Sequence, residues 1–167
     1  MPEGFSRKIE RAMYNLFPAI RGTGVRVTYI ADDYREVRVK LPLNWRTRNK
    51  VGTIFGGSMY AAVDPFYMVM LMKILGDEYI VWDRSASIRF KKPGRETLYA
   101  EFHVTKEETD EIIEVLETRK STVRDYVIEL RSADGEVHAI IDKEIHVARK
   151  RRPAPVAVSE PVLSTEY

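Results

Sequence analysis

The chain has 167 residues, of which 44% are hydrophobic and 31% are charged, and its 27 Lys and Arg residues against 25 Asp and Glu residues leave a net charge of +2. This length suits one domain with its own hydrophobic core, and the composition is that of a soluble globular protein rather than a disordered chain or one embedded in a bilayer. The charge balance gives no overall reason to expect a nucleic-acid partner, and the absence of cysteine excludes disulfides, thiolate metal sites and a cysteine nucleophile.

The N-terminal third predicts one helix followed by a β-hairpin. Apolar residues recur at helical spacing over residues 6–17, and Pro18 is a stop signal for that helix. Residues 24–30 and 36–41 are rich in strand-forming residues and are separated by a polar turn, so we expect them to pair antiparallel. Residues 42–52 are polar and basic without a clean period, which is typical of a loop that can carry function.

Residues 58–75 form the most apolar segment of the chain. Its only charge before Lys73 belongs to Asp64, and it is apolar around most of its circumference, as a helix is when other structure surrounds it. A membrane span needs about 20 apolar residues without a buried acid, and this segment does not offer that. We therefore predict a buried central helix and no membrane span. Pro65 is expected to kink this helix and free the carbonyl of Ala61.

The C-terminal half predicts four strands and one short helix. The strand segments, rich in Val, Ile and Tyr or alternating in polarity, are residues 78–90, 97–105, 122–132 and 136–148. Residues 107–120 are charged and helical in pattern, with Ile112, Ile113 and Leu116 on one side. Because helices are in the minority and strands follow one another in hairpins, we predict an α+β fold in which a curled, mostly antiparallel sheet wraps the central helix.

The two ends of the chain set the expected domain boundary and location. Residues 1–148 are predicted to form one domain. The tail from 149 to 167 holds three of the eight prolines and no periodic face, so we expect it to be disordered. The first 13 residues carry charges where a signal peptide has its apolar core, which indicates a cytoplasmic protein.

The residues that carry chemistry lie around the start of the central helix. Asn49 and Gly52 precede the pair Gly56 and Gly57, and Asp64 follows seven residues after the pair. Adjacent glycines at a helix start let the backbone approach a ligand and leave amide donors that can hold an oxyanion. An acid in an apolar helix is expensive to bury in its ionised form unless it is paired or reaches solvent, and it is a candidate base or nucleophile.

This pattern resembles the motif of the hotdog-fold acyl-CoA thioesterases, Asn-x-x-Gly-x-x-His-Gly-Gly followed seven residues later by Asp. The likeness extends over residues 22–148 and includes residues 88–93, which look like the end of the family's third strand. It is similar to the phenylacetyl-CoA thioesterase group and looks closest to an uncharacterised branch of that superfamily. The resemblance implies a hotdog fold, an acyl-CoA substrate, no cofactor beyond the coenzyme A of that substrate, and a site between two subunits of a homodimer. A homotetramer built as a dimer of dimers stays open.

The resemblance also assigns roles to individual residues. It implies that Asp64 acts as general base or nucleophile, that the Gly57 amide, with Gly56, polarises the thioester carbonyl, and that Asn49 positions water or substrate. The motif's histidine is replaced by Phe55, which cannot form its hydrogen bonds. The substrate-binding candidates are Phe55, Met59, Tyr60, Phe66, Tyr67 and Met68 as apolar lining, Asp83 and Ser85 as polar groups from the third strand, and Arg89, Lys91 and Lys92 as contacts for the carrier phosphates.

Each of these candidates also has an ordinary structural interpretation. Asp64 followed by Pro65 is a common way to start a helix, and a Gly-Gly pair is most often a tight turn. Asn49 is more often a turn former than a catalytic residue. Basic residues like those near the third strand commonly lie in solvent at a strand edge, where they prevent the edge from pairing with another chain. These are Arg84, Arg89, Lys91, Lys92 and Arg95.

Three functions follow from these alternatives. The first is an acyl-CoA thioesterase. The second is a binding module that holds an acyl or acyl-CoA ligand without turnover, which the replacement of the motif histidine by Phe55 favours. The third is a structural homo-oligomer whose apolar helix is simply core. No metal site is predicted, and the chain has no zinc-binding His-Glu-x-x-His, no Gly-x-Ser-x-Gly and no phosphate-binding loop motif.

Overall fold

The computed structural model describes residues 3–150. Its elements, in chain order, are α1 (Phe5–Leu16), α2 (Pro18–Thr23), β1 (Arg26–Ile30), β2 (Glu36–Leu41), α3 (Gly56–Ala61), α4 (Phe66–Leu75), β3 (Tyr79–Phe90), β4 (Leu98–His103), α5 (Lys106–Thr118), β5 (Ser121–Arg131) and β6 (Val137–Arg149). The six predicted strands and the predicted helices are all present. The short α2 was not predicted; Pro18 ends α1 and also begins α2, because proline is favoured at the first helical position.

The strands of the described residues form one sheet in the order β1-β2-β4-β5-β6-β3, with every neighbouring pair antiparallel. The predicted α+β class with an antiparallel sheet is therefore confirmed. β1 and the 12-residue β3 are the two edge strands. β6 continues through Arg149, the first residue of the predicted tail, and residues 151–167 of that tail lie outside the described residues.

The central helix is present as two segments, α3 and α4, that together span 20 residues. By length and composition this span is apolar enough to cross a membrane, but its apolar residues pack in the domain core against the sheet. The buried ones are Met59, Ala62, Val63, Phe66, Tyr67, Met70 and Leu71. The span is therefore the core helix that the sequence predicts.

Residues 62–65 form turns between α3 and α4 instead of continuous helix. The Val63 amide donates to the carbonyl of Tyr60, three residues back, which tightens the chain at this point. Pro65 has no amide hydrogen to donate to Ala61, so the helical ladder cannot pass through it. The predicted kink is confirmed, and Asp64 lies in it.

Helix α1 contradicts the usual expectation for an amphipathic helix, because its polar side faces the body of the protein. Asn15 exchanges two hydrogen bonds with the backbone of Val27, at 2.9 and 3.0 Å, and Arg7 donates to the hydroxyl of Tyr34. The apolar residues of the helix and its end are exposed. They are Phe5, Ile9, Met13, Leu16 and Phe17.

Candidate active site

Asp64, Asp83 and Lys143 form one ion-paired cluster beneath the break in the central helix. The Lys143 ammonium lies 2.8 Å from Oδ1 of Asp64 and 2.9 Å from Oδ2 of Asp83. The lysine side chain is 0% exposed, whereas the side chains of Asp64 and Asp83 are 41% and 28% exposed. The cluster thus has a buried cation and two acids that reach toward solvent.

Lys143 is buried because of its place in β6. Side chains of a strand alternate between its two faces, and the inner row of β6 consists of Ala139, Ile141, Lys143, Ile145 and Val147. The four apolar members of this row are fully buried. The lysine must therefore enter the same core, where its charge requires partners. Sequence reasoning missed this residue, although the alternation around it was a signal that could have found it.

The break between α3 and α4 provides a third partner for this lysine. The Lys143 ammonium donates to the main-chain carbonyl of Asp64 as well as to its carboxylate. Carbonyl groups near an interrupted helical ladder are free to accept from side chains. Lys143 thus contacts both the main chain and the side chain of Asp64.

Tyr60, one turn before Asp64, completes the surroundings of the acid. Its hydroxyl donates to Oδ1 of Asp64 at 3.0 Å. Burial, followed by the hydrogen bond to Asp64, raises the pKa of Tyr60 to about 12, so the phenol remains a donor at neutral pH. Tyr60 and Lys143 both contact Oδ1, and Oδ2 has no hydrogen-bond partner among residues 3–150. One oxygen of the carboxylate is held and the other is available.

Asp83 is joined to the same cluster from the neighbouring strand β3. Its Oδ2 faces Lys143, and its Oδ1 is buried without a hydrogen-bond partner in the described part of the chain. Burial raises the pKa of Asp83, the charge of Asp64 raises it further, and Lys143 acts in the opposite direction. The surroundings therefore favour a proton on this carboxyl more than on an ordinary aspartate.

Ser85, the other polar candidate on β3, does not join the cluster. The register of β3 against β6 shifts between Asp83 and Ser85, so that Asp83 lies opposite Ile145 but Ser85 lies opposite Glu144. An extra residue in a strand moves the following side chains to the other face. Ser85 is consequently exposed on the outer face, and the prediction that it contributes to this site is not supported by the geometry.

The two glycines begin α3, as predicted, and aromatic rings cover them. A Cβ atom added at Gly57 would lie 2.4 Å from the Phe55 ring, and one added at Gly56 would lie 2.8 Å from the Phe90 ring. Phe55 itself is 57% exposed. The first amides of a helix have no acceptor within it, so those of Gly56 and Gly57 are available donors.

A surface depression of about 400 Å³ lies beside this helix start. It brings together four predicted site residues, Gly56, Met59, Lys91 and Lys92. The remaining lining is contributed by Thr53, Ile54, Phe90 and Pro93. Its lining combines apolar surface with two lysines at the rim.

Asn49 shapes the loop that leads to the glycines. Its Oδ1 accepts hydrogen bonds from the amides of Val51 and Thr53, both at 3.1 Å, and its Nδ2 donates to the Thr53 hydroxyl at 2.9 Å. These local bonds are those of a turn-forming asparagine. In the structure the side chain therefore holds its own loop.

The basic residues on and after β3 lie mostly in ion pairs. Arg89 is paired with Asp142, and Lys92 with Glu136, on the neighbouring strand or its approach. Arg84 lies 3.8 Å from Glu144. The Arg89 guanidinium holds the pKa of the Asp142 carboxyl below its usual value. Arg89 shares the outer face with its partner, so its geometry is that of a solvated ion pair and not of a residue facing the central helix.

Two of the predicted lining residues belong to the core. Phe66 packs against Phe102 with ring centroids 5.0 Å apart, and Tyr67 stacks on Tyr126 at 3.8 Å. Both are buried, so neither can line an open pocket. Met68 is half-buried.

A family model described as "Domain of unknown function (DUF4442)" matches residues 6–148 of the chain. A search of curated proteins finds no match. Among solved structures, a Pseudomonas aeruginosa protein described as of unknown function and "Probable Thioesterase" is 16% identical, with a TM-score of 0.75 over 90% of this chain and 99% of that one.

Two further solved structures resemble the chain less closely. A thioesterase from Haemophilus influenzae is 13% identical, with a TM-score of 0.64 over 88% of this chain and 93% of that one. The PaaI protein of the E. coli phenylacetic acid degradation operon is 16% identical, with a TM-score of 0.56 over 86% and 92%. At such identities the likeness shows the fold, which is the predicted hotdog fold.

Proposed function

The chain belongs to the DUF4442 family, and we propose that it is a thioesterase that hydrolyses an acyl thioester, with coenzyme A as the expected carrier. Asp64 acts as general base or nucleophile in this proposal, and the amide of Gly57, with that of Gly56, holds the oxyanion. The observation that carries the proposal is the Asp64 carboxylate itself, which is ion-paired through one oxygen and open through the other. The thioesterases among the structural neighbours support it.

The chemistry requires a base and an oxyanion donor on opposite sides of one carbonyl group. As a base, Asp64 takes a proton from water through Oδ2 while the water oxygen forms a bond to the thioester carbon. Negative charge then develops on the carbonyl oxygen and is stabilised by a backbone amide. Collapse of this intermediate breaks the carbon–sulfur bond, and Asp64 returns its proton to the sulfur, so that the thiol leaves and the carboxylate is restored.

Within a single chain the donor lies at the start of α3 and the base lies in the break that follows it. Gly57 and Asp64 are seven residues apart on the central helix, a distance of about 10 Å at the helical rise per residue. We therefore propose that each site combines Asp64 of one subunit with Gly57 of another. The free edge of the long strand β3 offers the surface for such a homodimer, since edge strands present unpaired backbone groups. Pairing of two dimers into a tetramer is compatible with this arrangement.

The depression at the start of α3 is the proposed path for the carrier. Lys91 and Lys92 at its rim are suited to the phosphates of a nucleotide carrier, because an ammonium binds phosphate as a point charge. Met59 and Phe90 supply apolar surface beside Gly56. The proposed setting for such a substrate is the cytoplasm.

The test is thiol release from a panel of acyl-CoAs of different chain lengths by the native protein and by Asp64→Asn. We expect turnover to fall by about 10²-fold to 10⁴-fold in the variant, the range that removal of a general base or acid produces. Asp142→Asn is the matched control, because it makes the same chemical change on the outer face of β6. Equal rates for Asp64→Asn and the native protein would exclude Asp64 as the base.

One observation favours a second candidate, a binding module without turnover. Phe55 replaces the histidine of the resembled motif, and its ring packs over Gly57. A ring in this position covers the helix start that would hold the oxyanion. For this candidate, calorimetry would detect binding of an acyl-CoA while no thiol is released, and Asp64→Asn would leave the affinity unchanged.

A further inference from the structure

Lys143 contacts Asp64 in two places and Asp83 in one. Its ammonium donates to Oδ1 of Asp64 at 2.8 Å and to the carbonyl of the same residue, and it lies 2.9 Å from Oδ2 of Asp83. We propose that Lys143 is a positioning residue that holds Asp64 as the base of the site, an inference that rests on the proposed thioesterase function. The ammonium fixes the carboxylate by one oxygen and leaves Oδ2 toward the substrate.

The packing around Lys143 supports a role for its charge. The residue occupies the middle of a fully buried apolar row between Ile141 and Ile145. Replacing a buried ion pair by well-packed apolar residues is often neutral or stabilising, so a core of this kind has no need of a lysine for stability. An apolar residue could fill the same space as Lys143, but it could not make the contacts with Asp64.

The groups that face Asp64 come from three elements, and they explain why one cation matters. Tyr60 of α3 donates to Asp64, Asp83 of β3 adds a like charge, and Lys143 of β6 supplies the positive charge. Within residues 3–150, Lys143 is the only cation paired with Asp64. Without it, the carboxylate of Asp83 and the hydroxyl of Tyr60 would remain beside Asp64, and among the described residues no cation would balance the two acids.

The test compares acyl-CoA hydrolysis by the native protein and Lys143→Met across a range of pH. Methionine keeps the length and apolar body of the side chain and removes its charge. We expect kcat at neutral pH to fall by at least about tenfold while KM stays within about threefold, because the base is affected and not the binding of substrate. The pH profile of the rate should also change in the variant, because the positive charge beside the base is lost.

The double variant Lys143→Met/Asp83→Asn separates positioning from charge balance. It removes the lysine and its second partner together, so it also serves if the single variant does not fold. We expect it to fold and to keep the slow kcat and the changed pH profile. Recovery of native kinetics in the double variant would mean that Lys143 only neutralises Asp83, and would overturn the inference.

The remaining outcomes separate this inference from the function on which it rests. Native kcat and an unchanged pH profile in Lys143→Met, with Asp64→Asn inactive, would overturn the role of Lys143 alone. Absence of thiol release by the native protein from every acyl-CoA would overturn the proposed function and this inference with it.

Discussion

At the scale of single residues, two aspartates share one lysine in different surroundings. Asp64 is the more exposed acid and accepts hydrogen bonds from Tyr60 and Lys143. Asp83 has a buried oxygen with no partner in the described chain, and burial raises its pKa. Two ionised carboxylates at one site repel each other. The pKa of Asp83 therefore lies above its ordinary value.

The raised pKa of Asp83 predicts how stability depends on pH. Because the folded protein binds this proton more tightly than the unfolded chain, Asp83 supports folding fully below its ordinary value of 3.8, and this support is lost as pH rises through the folded value. We expect the free energy of unfolding of the native protein, relative to Asp83→Asn, to decrease from about pH 4 to pH 7. Urea unfolding of both proteins at matched pH measures this difference, and a constant or rising difference would contradict the prediction.

The site was predictable from the sequence to the extent that its residues lie close together along the chain. Asp64 was identified by its distance from the glycines, and Asp83 by comparison with the family's third strand. Lys143 lies 79 residues from Asp64, and their contact depends on where the central helix packs on the sheet. The alternation of β6 indicated that Lys143 is buried, but a single sequence does not give its partners, since pairing of distant strands is set by the whole fold.

At the scale of elements, the proposed mechanism uses the backbone at the start of α3, because the oxyanion donor there is a main-chain amide and not a side chain. Gly57→Pro removes the proposed amide donor, and proline is tolerated in the first turn of a helix. We expect thioesterase kcat to fall by about 10²-fold to 10³-fold, as for the loss of one oxyanion donor. Gly57→Ala is the control, because it adds the same Cβ against the exposed Phe55 ring but keeps the N–H.

Both variants require the same checks before their rates are compared. Circular dichroism and thermal unfolding should show that each keeps the native fold. Equal loss of activity in Gly57→Ala and Gly57→Pro would indicate that the Phe55 ring had been displaced, and would speak against the amide as the donor.

The elements themselves were predicted well, whereas the irregularities within them were not all predictable. Helix and strand periodicity gave the six strands and the central helix, and Pro65 gave the break because its effect is local. The irregularity after Asp83 could not be read from the chain. An extra residue in a strand is defined only against its partner, here β6, and it moved Ser85 away from the cluster.

At the scale of the whole molecule, the proposed site has two halves that lie at different points along the central helix. Asp64 with Lys143 forms one half, and Gly57 with the depression beside it forms the other, about 10 Å along the helix. A two-fold dimer would bring each half of one subunit to the opposite half of its partner, because such interfaces are reciprocal. The free edge of β3 is the surface proposed for that contact.

Mixed dimers test this arrangement directly. Asp64→Asn and Gly57→Pro each damage a different half, so a heterodimer of the two variants should contain one intact site, formed by Asp64 of one chain and Gly57 of the other. Differently tagged chains, co-expressed and purified as the heterodimer, should then recover about half of the native activity. A heterodimer of Asp64→Asn with Lys143→Met should not exceed the low activity of the Lys143→Met homodimer, because Asp64 and Lys143 contact each other within one chain, and both variants damage the same half. If neither heterodimer regains activity while both remain folded dimers, each site must lie within one subunit, and the two halves would have to close on each other by a movement of the central helix.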